Sequence, residues 1–201
     1  MRSLIIILML VSGTVFCQNK DAYESVRNSM VDDQIAGRGI SDQATLMAMK
    51  KVPRHLFVPA SYAREAYSDR PLPIGYSQTI SQPFIVAYMT ELSRPAKGKK
   101  ALEIGTGSGY QAAILAEIVD TVYTIEIVPE LAKEAAARLK ILGYQNIVTK
   151  YGDGYKGWPE HAPFDIIIVT AAADHIPQPL KDQLADGGRL VMPVCNPATV
   201  Q

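Results

Sequence analysis

The stretch "LEIGTGSGYQ" at residues 102–111 places three glycines at alternate positions directly after a short apolar run. Gly105, Gly107 and Gly109 allow the backbone to turn tightly and let a ligand approach without an obstructing Cβ. The residues that follow are predicted to form a helix, whose first N–H groups lack intrahelical partners and suit an anionic group. The pattern therefore predicts a strand that ends in a loop for a nucleotide-like ligand.

Apolar runs and helical segments alternate from residue 99 onward, on both sides of this loop. Strands are predicted at 101–104, 122–127, 147–150, 164–170 and 189–194, and helices at 110–118, 129–142 and 177–184. Continuously apolar strands separated by helices form a parallel sheet that is covered on both faces. We therefore predict an α/β fold, a doubly wound Rossmann-like domain with its ligand at the carboxyl ends of the strands.

The residues before this domain have a different pattern. Apolar positions in residues 26–49 are spaced as in amphipathic helices, and a segment rich in proline and glycine follows them. Pro83 is predicted to open a helix through Leu92, because proline suits the first helical turn. We therefore divide the chain into an N-terminal helical, substrate-facing extension at 18–98 and the Rossmann-like domain at 99–201.

The overall charge does not indicate a nucleic-acid partner. Twenty basic residues balance twenty acidic ones among 201 residues, and 48% of the residues are hydrophobic. The three histidines, His55, His161 and His175, are scattered along the sequence. We therefore predict no metal site and no histidine catalyst.

The first seventeen residues have the features of a secretory signal peptide. Arg2 precedes a largely apolar run at 4–16, which is too short to span a bilayer comfortably. We therefore expect export, to the periplasm, without stable membrane insertion. The alternatives are a buried N-terminal helix and lipidation of Cys17, which the bulky Phe16 before it disfavours. Cys17 and Cys195 form no disulfide framework.

Three acidic residues follow predicted strands or lie in them. Glu126 ends the second strand about twenty residues after the loop, where a carboxylate binds both ribose hydroxyls of NAD or S-adenosylmethionine. Glu103 would repel a pyrophosphate but favours a sulfonium and an amino group. Asp153, in "YGDGY", can accept a hydrogen bond from the adenine exocyclic amine. We therefore predict an S-adenosylmethionine-dependent methyltransferase, and Glu103 together with the GxGxG spacing disfavours an NAD-dependent oxidoreductase.

The sequence resembles the protein-L-isoaspartate O-methyltransferase family over residues 30–194. The segment at 72–83 is highly specific to that family, whereas the glycine loop is common to many methyltransferases. The matching stretches are "MVDDQIAGRGI", "VPRHLFVP", "LPIGYSQTISQPFIVAYMTEL", "LEIGTGSGYQAAILA", "YTIEI", "GDG", "APFDIIIVTAA" and "LADGGRLVMPV".

The resemblance implies methyl transfer from S-adenosylmethionine to the free α-carboxylate of isoaspartyl residues in damaged proteins. The resulting ester closes to a succinimide, whose hydrolysis partly restores aspartate. Ser81 is implied as the active-site residue, although it could also be an N-cap ahead of Pro83. Ile80, Gln82 and Pro83 would frame the cofactor. The matching motifs complete the implied cofactor set with Glu103, Gly105, Gly107, Gly109, Glu126, Ile127, Asp153 and Gly154.

The resemblance also bears on the end of the sequence. Members of the family continue after the "PV" strand into two antiparallel strands, so we expect C-terminal strands to be missing here and a monomer when they are present. Two alternative functions stay open at this point. One is a methyltransferase for a small-molecule carboxylate or amine, and the other is an inactive module that binds exposed protein termini or loops.

Overall fold

The computed structural model describes residues 22–171 and 175–194, and the described chain begins with helices. Helix α1 (Glu24–Ser29) continues into a π-helical turn, and helices α2 (Gln43–Lys51) and α3 (Pro83–Ser93) follow. The predicted signal peptide and both cysteines lie outside the described residues. Within those residues, no helix combines the length and the apolar character needed to cross a membrane.

A short β-hairpin precedes α3. Strands β1 (Leu72–Gly75) and β2 (Gln78–Ile80) pair antiparallel, and Tyr76 and Ser77 form the turn with φ of 51° and 57°. The sequence indicated only that this proline-rich segment lacks long regular elements. The hairpin has no clear sequence signal, because its strands are short and one of them contains a proline.

The central sheet has five parallel strands in the order β5-β4-β3-β6-β7. The strands are β3 (Lys100–Ile104), β4 (Thr121–Glu126), β5 (Ile147–Tyr151), β6 (Phe164–Val169) and β7 (Leu184–Val191). The connecting helices are α4 (Tyr110–Ala116), α5 (Pro129–Ile141) and α6 (Gln178–Asp182). This confirms the predicted Rossmann-like fold with its N-terminal helical extension. The strand order reverses at β3, so a ligand cleft is expected at the carboxyl end of that strand.

The last strand differs from its prediction. It was expected at 189–194, but β7 begins at Leu184 and ends at Val191. The pairing with β6 passes from Phe164 opposite Leu184 to Ile166 opposite Arg189, so the intervening turn-forming residues are contained in an irregularity within the strand. Helix α6 ends at Asp182 and is shorter than the helix predicted at 177–184, the last residue of which, Leu184, begins β7.

The N-terminal region and the helices that flank the sheet share a hydrophobic core. Every residue of α4 is buried. One cluster joins Met30, Met49 and Phe57 of the N-terminal region to Tyr110 and Ile114 of α4. This packing brings the hairpin and the start of α3 next to the glycine loop.

Candidate active site

A cleft of about 220 Å³ lies where the strand order reverses. Its walls come from the loop after β3, the end of β4, the residues after β6, and the segment from β2 to α3. Seven of the predicted site residues line it: Ile80, Ser81, Glu103, Gly105, Gly107, Glu126 and Ile127. The other four, Gln82, Gly109, Asp153 and Gly154, lie beside the cleft and not in its wall.

The glycine loop is held by the ends of the neighbouring strands. The backbone N–H groups of Gly105 and Thr106 both donate to Ile125 O, at 2.8 and 3.2 Å. The Thr170 hydroxyl donates to Gly105 O at 2.7 Å. Gly105 has φ of +96°, and a Cβ there would clash with this hydroxyl. Glycine is therefore required at this position both by backbone conformation and by space.

Gly109 and Gly154 contribute packing next to the cleft. Gly109 precedes α4 with a left-handed conformation, and a Cβ there would lie 3.2 Å from the Leu139 side chain of α5. Gly154 is buried against Ile104 with no room for a Cβ. Gly109 thus allows the start of α4 to approach α5 closely, and Gly154 allows the loop after β5 to approach the end of β3.

Glu126 is a fixed carboxylate at the end of β4, with 5% of its surface exposed. Oε2 accepts a hydrogen bond from Gly107 N at 2.7 Å, and Oε1 accepts one from Val128 N at 2.9 Å. Each carboxylate oxygen has more than one lone pair, so both can accept a further bond from the cleft. This geometry suits two vicinal hydroxyls.

Glu103 is fully buried in β3 and forms one edge of the cleft. Its Oε2 accepts a hydrogen bond from Thr124 Oγ1 at 2.5 Å. The pKa of this carboxyl is raised to about 8, mainly because burial disfavours the charged form. The charge of Glu126 raises the pKa further, whereas the hydrogen bond from Thr124 and the nearby Ala112 N–H lower it. Burial therefore favours the protonated form at neutral pH, whereas a cation bound in the cleft would favour the carboxylate.

The two carboxyl groups fit a sulfonium cofactor. Glu103 Oε1 is buried and has no hydrogen-bond partner among the described residues, so it is available to a cationic or amino group. Glu126 supplies acceptors for a ribose, and the glycine loop removes side chains from the space between them. A pyrophosphate would instead meet two acidic groups.

Asp153 and Ile127 lie at the rim. Ile127 lines the cleft and is 64% exposed. Asp153 is exposed after β5, next to the end of β4, because Gly152 N donates to Glu126 O at 2.9 Å. Its Oδ1 accepts from Tyr155 N at 2.9 Å and so caps a short 3₁₀ helix. Asp153 thus has a structural role, and the predicted contact to adenine stays a prediction.

Ser81 lies in the turn between β2 and α3 and lines the cleft. The interpretation of Ser81 as an N-cap is wrong, because Gln82 is the N-cap residue and its side chain makes no capping bond. Asp69 supplies the capping acceptor instead, because its Oδ1 accepts a hydrogen bond from Phe84 N at 3.3 Å. The Gln82 amide donates to Asp69 O and Oδ2, at 3.0 and 2.8 Å, which explains why it does not line the cleft.

Sequence reasoning missed several residues of the site. Thr106, Tyr110 and Gln111 line the cleft and belong to the quoted glycine-loop stretch, so their position carried a signal that was not used. Arg54 does not line the cleft, but its Nη2 donates to Ser81 O at 2.7 Å. Neither Arg54 nor Asp69 has a sequence spacing that points to the site.

The histidines lie elsewhere. His55 Nδ1 is 2.7 Å from the Tyr67 hydroxyl, and His175 Nε2 is 3.0 Å from the Tyr155 hydroxyl. His161 stacks on Tyr123. In residues 22–171 and 175–194 there is no group of three or more His, Cys, Asp or Glu side chains arranged to hold a metal ion.

The sequence profile of the family described as "Protein-L-isoaspartate(D-aspartate) O-methyltransferase" matches residues 25–201. A protein-L-isoaspartate O-methyltransferase from Gloeobacter violaceus is 66% identical over 165 residues, which are 82% of this chain and 80% of that protein. One from Opitutus terrae is 55% identical over 193 residues, which are 96% of this chain and 83% of the relative.

Solved structures agree with the sequence relatives. A Plasmodium falciparum protein described as a protein-L-isoaspartate O-methyltransferase, in complex with S-adenosyl-L-homocysteine, superposes with a TM-score of 0.72 at 26% identity, covering 85% of each chain. Another structure of that name gives 0.74 at 31% identity and covers 83% of this chain and 55% of the other. The chain therefore belongs to the protein-L-isoaspartate(D-aspartate) O-methyltransferase family.

Proposed function

We propose that this protein transfers a methyl group from S-adenosylmethionine to the free α-carboxylate of L-isoaspartyl residues in damaged proteins. The observation that carries the proposal is the cleft that joins Glu103 and Glu126 to the family-specific Ser81 turn. The relatives that carry the name of this activity, at 55–66% identity, support it. The methyl ester then closes to a succinimide with loss of methanol, and hydrolysis partly restores aspartate.

The residues on the sheet side hold the cofactor. Glu126 would accept hydrogen bonds from the ribose hydroxyls, Glu103 would face the cationic methionine portion, and Asp153 would accept a hydrogen bond from the adenine amine at the rim. Ile127 offers an apolar surface to the adenine ring. The bound cofactor supplies a methyl group on a positively charged sulfur, which is a good leaving group.

Ser81 acts on the acceptor side. The substrate carboxylate is already ionised at neutral pH, so it needs orientation and not deprotonation. The Ser81 hydroxyl donates a hydrogen bond that directs one carboxylate oxygen toward the methyl carbon. The hairpin and the start of α3 exclude water from the reacting groups. Rate enhancement then comes from alignment and desolvation, and no general base is required.

Two matched peptides test the proposal. A synthetic peptide with one L-isoaspartyl residue and its aspartyl twin are incubated with the protein and methyl-labelled S-adenosylmethionine. We expect base-labile label on the isoaspartyl peptide alone. Equal labelling of both peptides, or of neither, contradicts the proposed substrate, and calorimetric titration with S-adenosylhomocysteine then separates a different methyltransferase from a protein that binds no cofactor.

We also propose that the protein is exported to the periplasm and that it is a monomer when the C-terminal strands of the family are present. Arg2 and the apolar run at 4–16 support export. The full chain is expressed in a Gram-negative host, fractionated and sequenced from its N-terminus, with Leu8→Arg as the control that interrupts the apolar run. Processed protein in the periplasm is expected only for the parent. Light scattering tests the monomer, and a dimeric mass would contradict it.

A further inference from the structure

Arg54 is a buried arginine behind the acceptor side of the cleft. It is 0% exposed, and it lies 27 residues before Ser81 in the sequence. Its Nη2 donates to Ser81 O and its Nε donates to Ala66 O, both at 2.7 Å. Its guanidinium carbon lies 4.8 Å from the centroid of the Tyr110 ring, which lines the cleft. Arg54 thus joins three segments of the chain at the Ser81 turn.

This arrangement is costly for stability alone. Within the described parts of the chain Arg54 forms no ion pair, and its Nη1 is buried without a hydrogen-bond partner. Burial lowers the pKa of its guanidinium, the neighbouring Tyr110, Tyr67 and Asp69 offset part of that lowering, and arginine stays charged in proteins. A buried charge with an unpaired donor is stabilising only weakly or not at all, whereas it defines the geometry of the groups it does bind. In the cleft, the group whose position Arg54 fixes is the peptide carbonyl of Ser81.

The next residues of the turn are held from another side. Asp69 accepts from the Gln82 amide and from Phe84 N, and Arg38 Nη1 pairs with Asp69 Oδ2 at 2.5 Å. Arg54 thus holds the Ser81 carbonyl, and Asp69 holds the Gln82 side chain and the Phe84 N–H that follow it, so the turn is restrained on both sides of the Gln82 backbone. These restraints set the direction of the Ser81 Cα–Cβ bond, which carries the hydroxyl.

We propose that Arg54 is a positioning residue for methyl transfer: it holds the Ser81 carbonyl so that the Ser81 hydroxyl faces the acceptor carboxylate. Arg54 itself touches neither substrate nor cofactor. The inference rests on the proposed function, because it requires Ser81 to act on the acceptor. Arg54→Lys keeps the positive charge but loses the planar fork that binds two carbonyls at once.

Arg27→Lys is the matched control. Arg27 is also buried, and it donates to Lys50 O at 2.5 Å and to the Tyr67 hydroxyl at 3.4 Å, neither of which belongs to the Ser81 turn. For Arg54→Lys we expect kcat on the isoaspartyl peptide to fall at least about tenfold, because small misplacements of reacting groups are expensive. The calorimetric Kd for S-adenosylhomocysteine should change no more than about threefold. For Arg27→Lys both quantities should stay within about twofold of the parent.

A double-mutant cycle identifies the path of the effect. If Arg54 acts through Ser81, Arg54→Lys combined with Ser81→Ala should have the kcat of Ser81→Ala alone. The inference is overturned if the fold-losses of kcat for Arg54→Lys and Ser81→Ala multiply in the double variant. Equal losses of kcat in the Arg54→Lys and Arg27→Lys proteins overturn it as well. Arg54→Gln replaces Arg54→Lys if the latter does not fold by circular dichroism. Loss of folding in both Arg54 variants with Arg27→Lys folded would assign Arg54 to stability and also overturn it. A parent protein without methyl transfer would instead contradict the proposed function.

Discussion

The two sides of the cleft are held in different ways. On the sheet side, the loop after β3 is bound by strand ends that are its neighbours, through Ile125 O and the Thr170 hydroxyl. On the acceptor side, the Ser81 turn is bound by Arg54 and Asp69, which come from other segments of the N-terminal region. The sheet side is therefore positioned by neighbouring strand ends, and the acceptor side is positioned by tertiary packing.

This difference separates two kinds of function. The sheet side contains the two carboxyl groups that suit the cofactor, so changes there should alter the affinity for it. The acceptor side contains Ser81, so changes there should alter turnover while affinity stays nearly constant. Substitutions on the two sides of the cleft test this separation.

Gly105→Ala should have the largest effect. The added Cβ clashes with the Thr170 hydroxyl, and φ of +96° strains any residue other than glycine. We expect a loss of about 3 kcal/mol in S-adenosylhomocysteine binding, about 150-fold in Kd by calorimetry. Gly98→Ala is the control, because Gly98 has φ of +80° with no atom within 4 Å of the added Cβ. Equal loss of affinity in both variants would show that backbone strain, and not the clash in the cleft, is responsible.

Ser81→Ala should reduce turnover and spare affinity. A hydrogen bond to a charged group contributes about 2 kcal/mol, so we expect kcat to fall about 30-fold. The Kd for S-adenosylhomocysteine should stay within about twofold of the parent. Ser68→Ala, at an exposed serine outside the cleft wall, controls for the loss of a hydroxyl. Parallel losses in kcat and affinity would remove the distinction between the two sides.

Glu126→Ala should weaken cofactor binding by about 1–3 kcal/mol, because hydroxyls of the ribose and two backbone N–H groups lose their acceptor. Calorimetry measures the affinity, and kcat at saturating cofactor should change less than the affinity does. Glu130→Ala is the matched control at an exposed carboxylate in the first turn of α5. An unchanged Kd in the Glu126→Ala protein would show that this carboxylate is not the ribose ligand.

Glu103 should make stability depend on pH, with the smallest effect of the four. Its folded-state pKa of about 8 exceeds the ordinary value of 4.5, so the folded protein holds a proton that the unfolded chain releases. The stability from this group is therefore full below pH 4.5 and is lost as the pH rises through about 8. Glu103→Gln should raise Tm by several degrees at pH 8 and leave it unchanged at pH 4. A constant Tm difference at both pH values would contradict the buried neutral carboxyl, and Glu130→Gln controls for the change of side chain.

The accuracy of the sequence predictions follows the same division. The strands, the loop and the strand-end carboxyl groups were predicted because they follow one another within short stretches whose apolar pattern reports burial. Ser81 was identified through its resemblance to a family, and its competing interpretation as an N-cap was wrong because Asp69 binds Phe84 N. The last strand was misplaced because the turn-forming residues before Arg189 continue the strand irregularly.

The sequence by itself determined the parallel α/β fold, the glycine loop and the placement of Glu103 and Glu126, because local periodicity and the carboxyl ends of neighbouring strands specify all of them. Only the tertiary structure decided that Arg54 and Asp69 hold the Ser81 turn. Those hydrogen bonds span 27 and 13 residues, and the burial that makes them strong exists only after the N-terminal helices pack on α4. No spacing in the sequence reports a contact that depends on how separate segments pack.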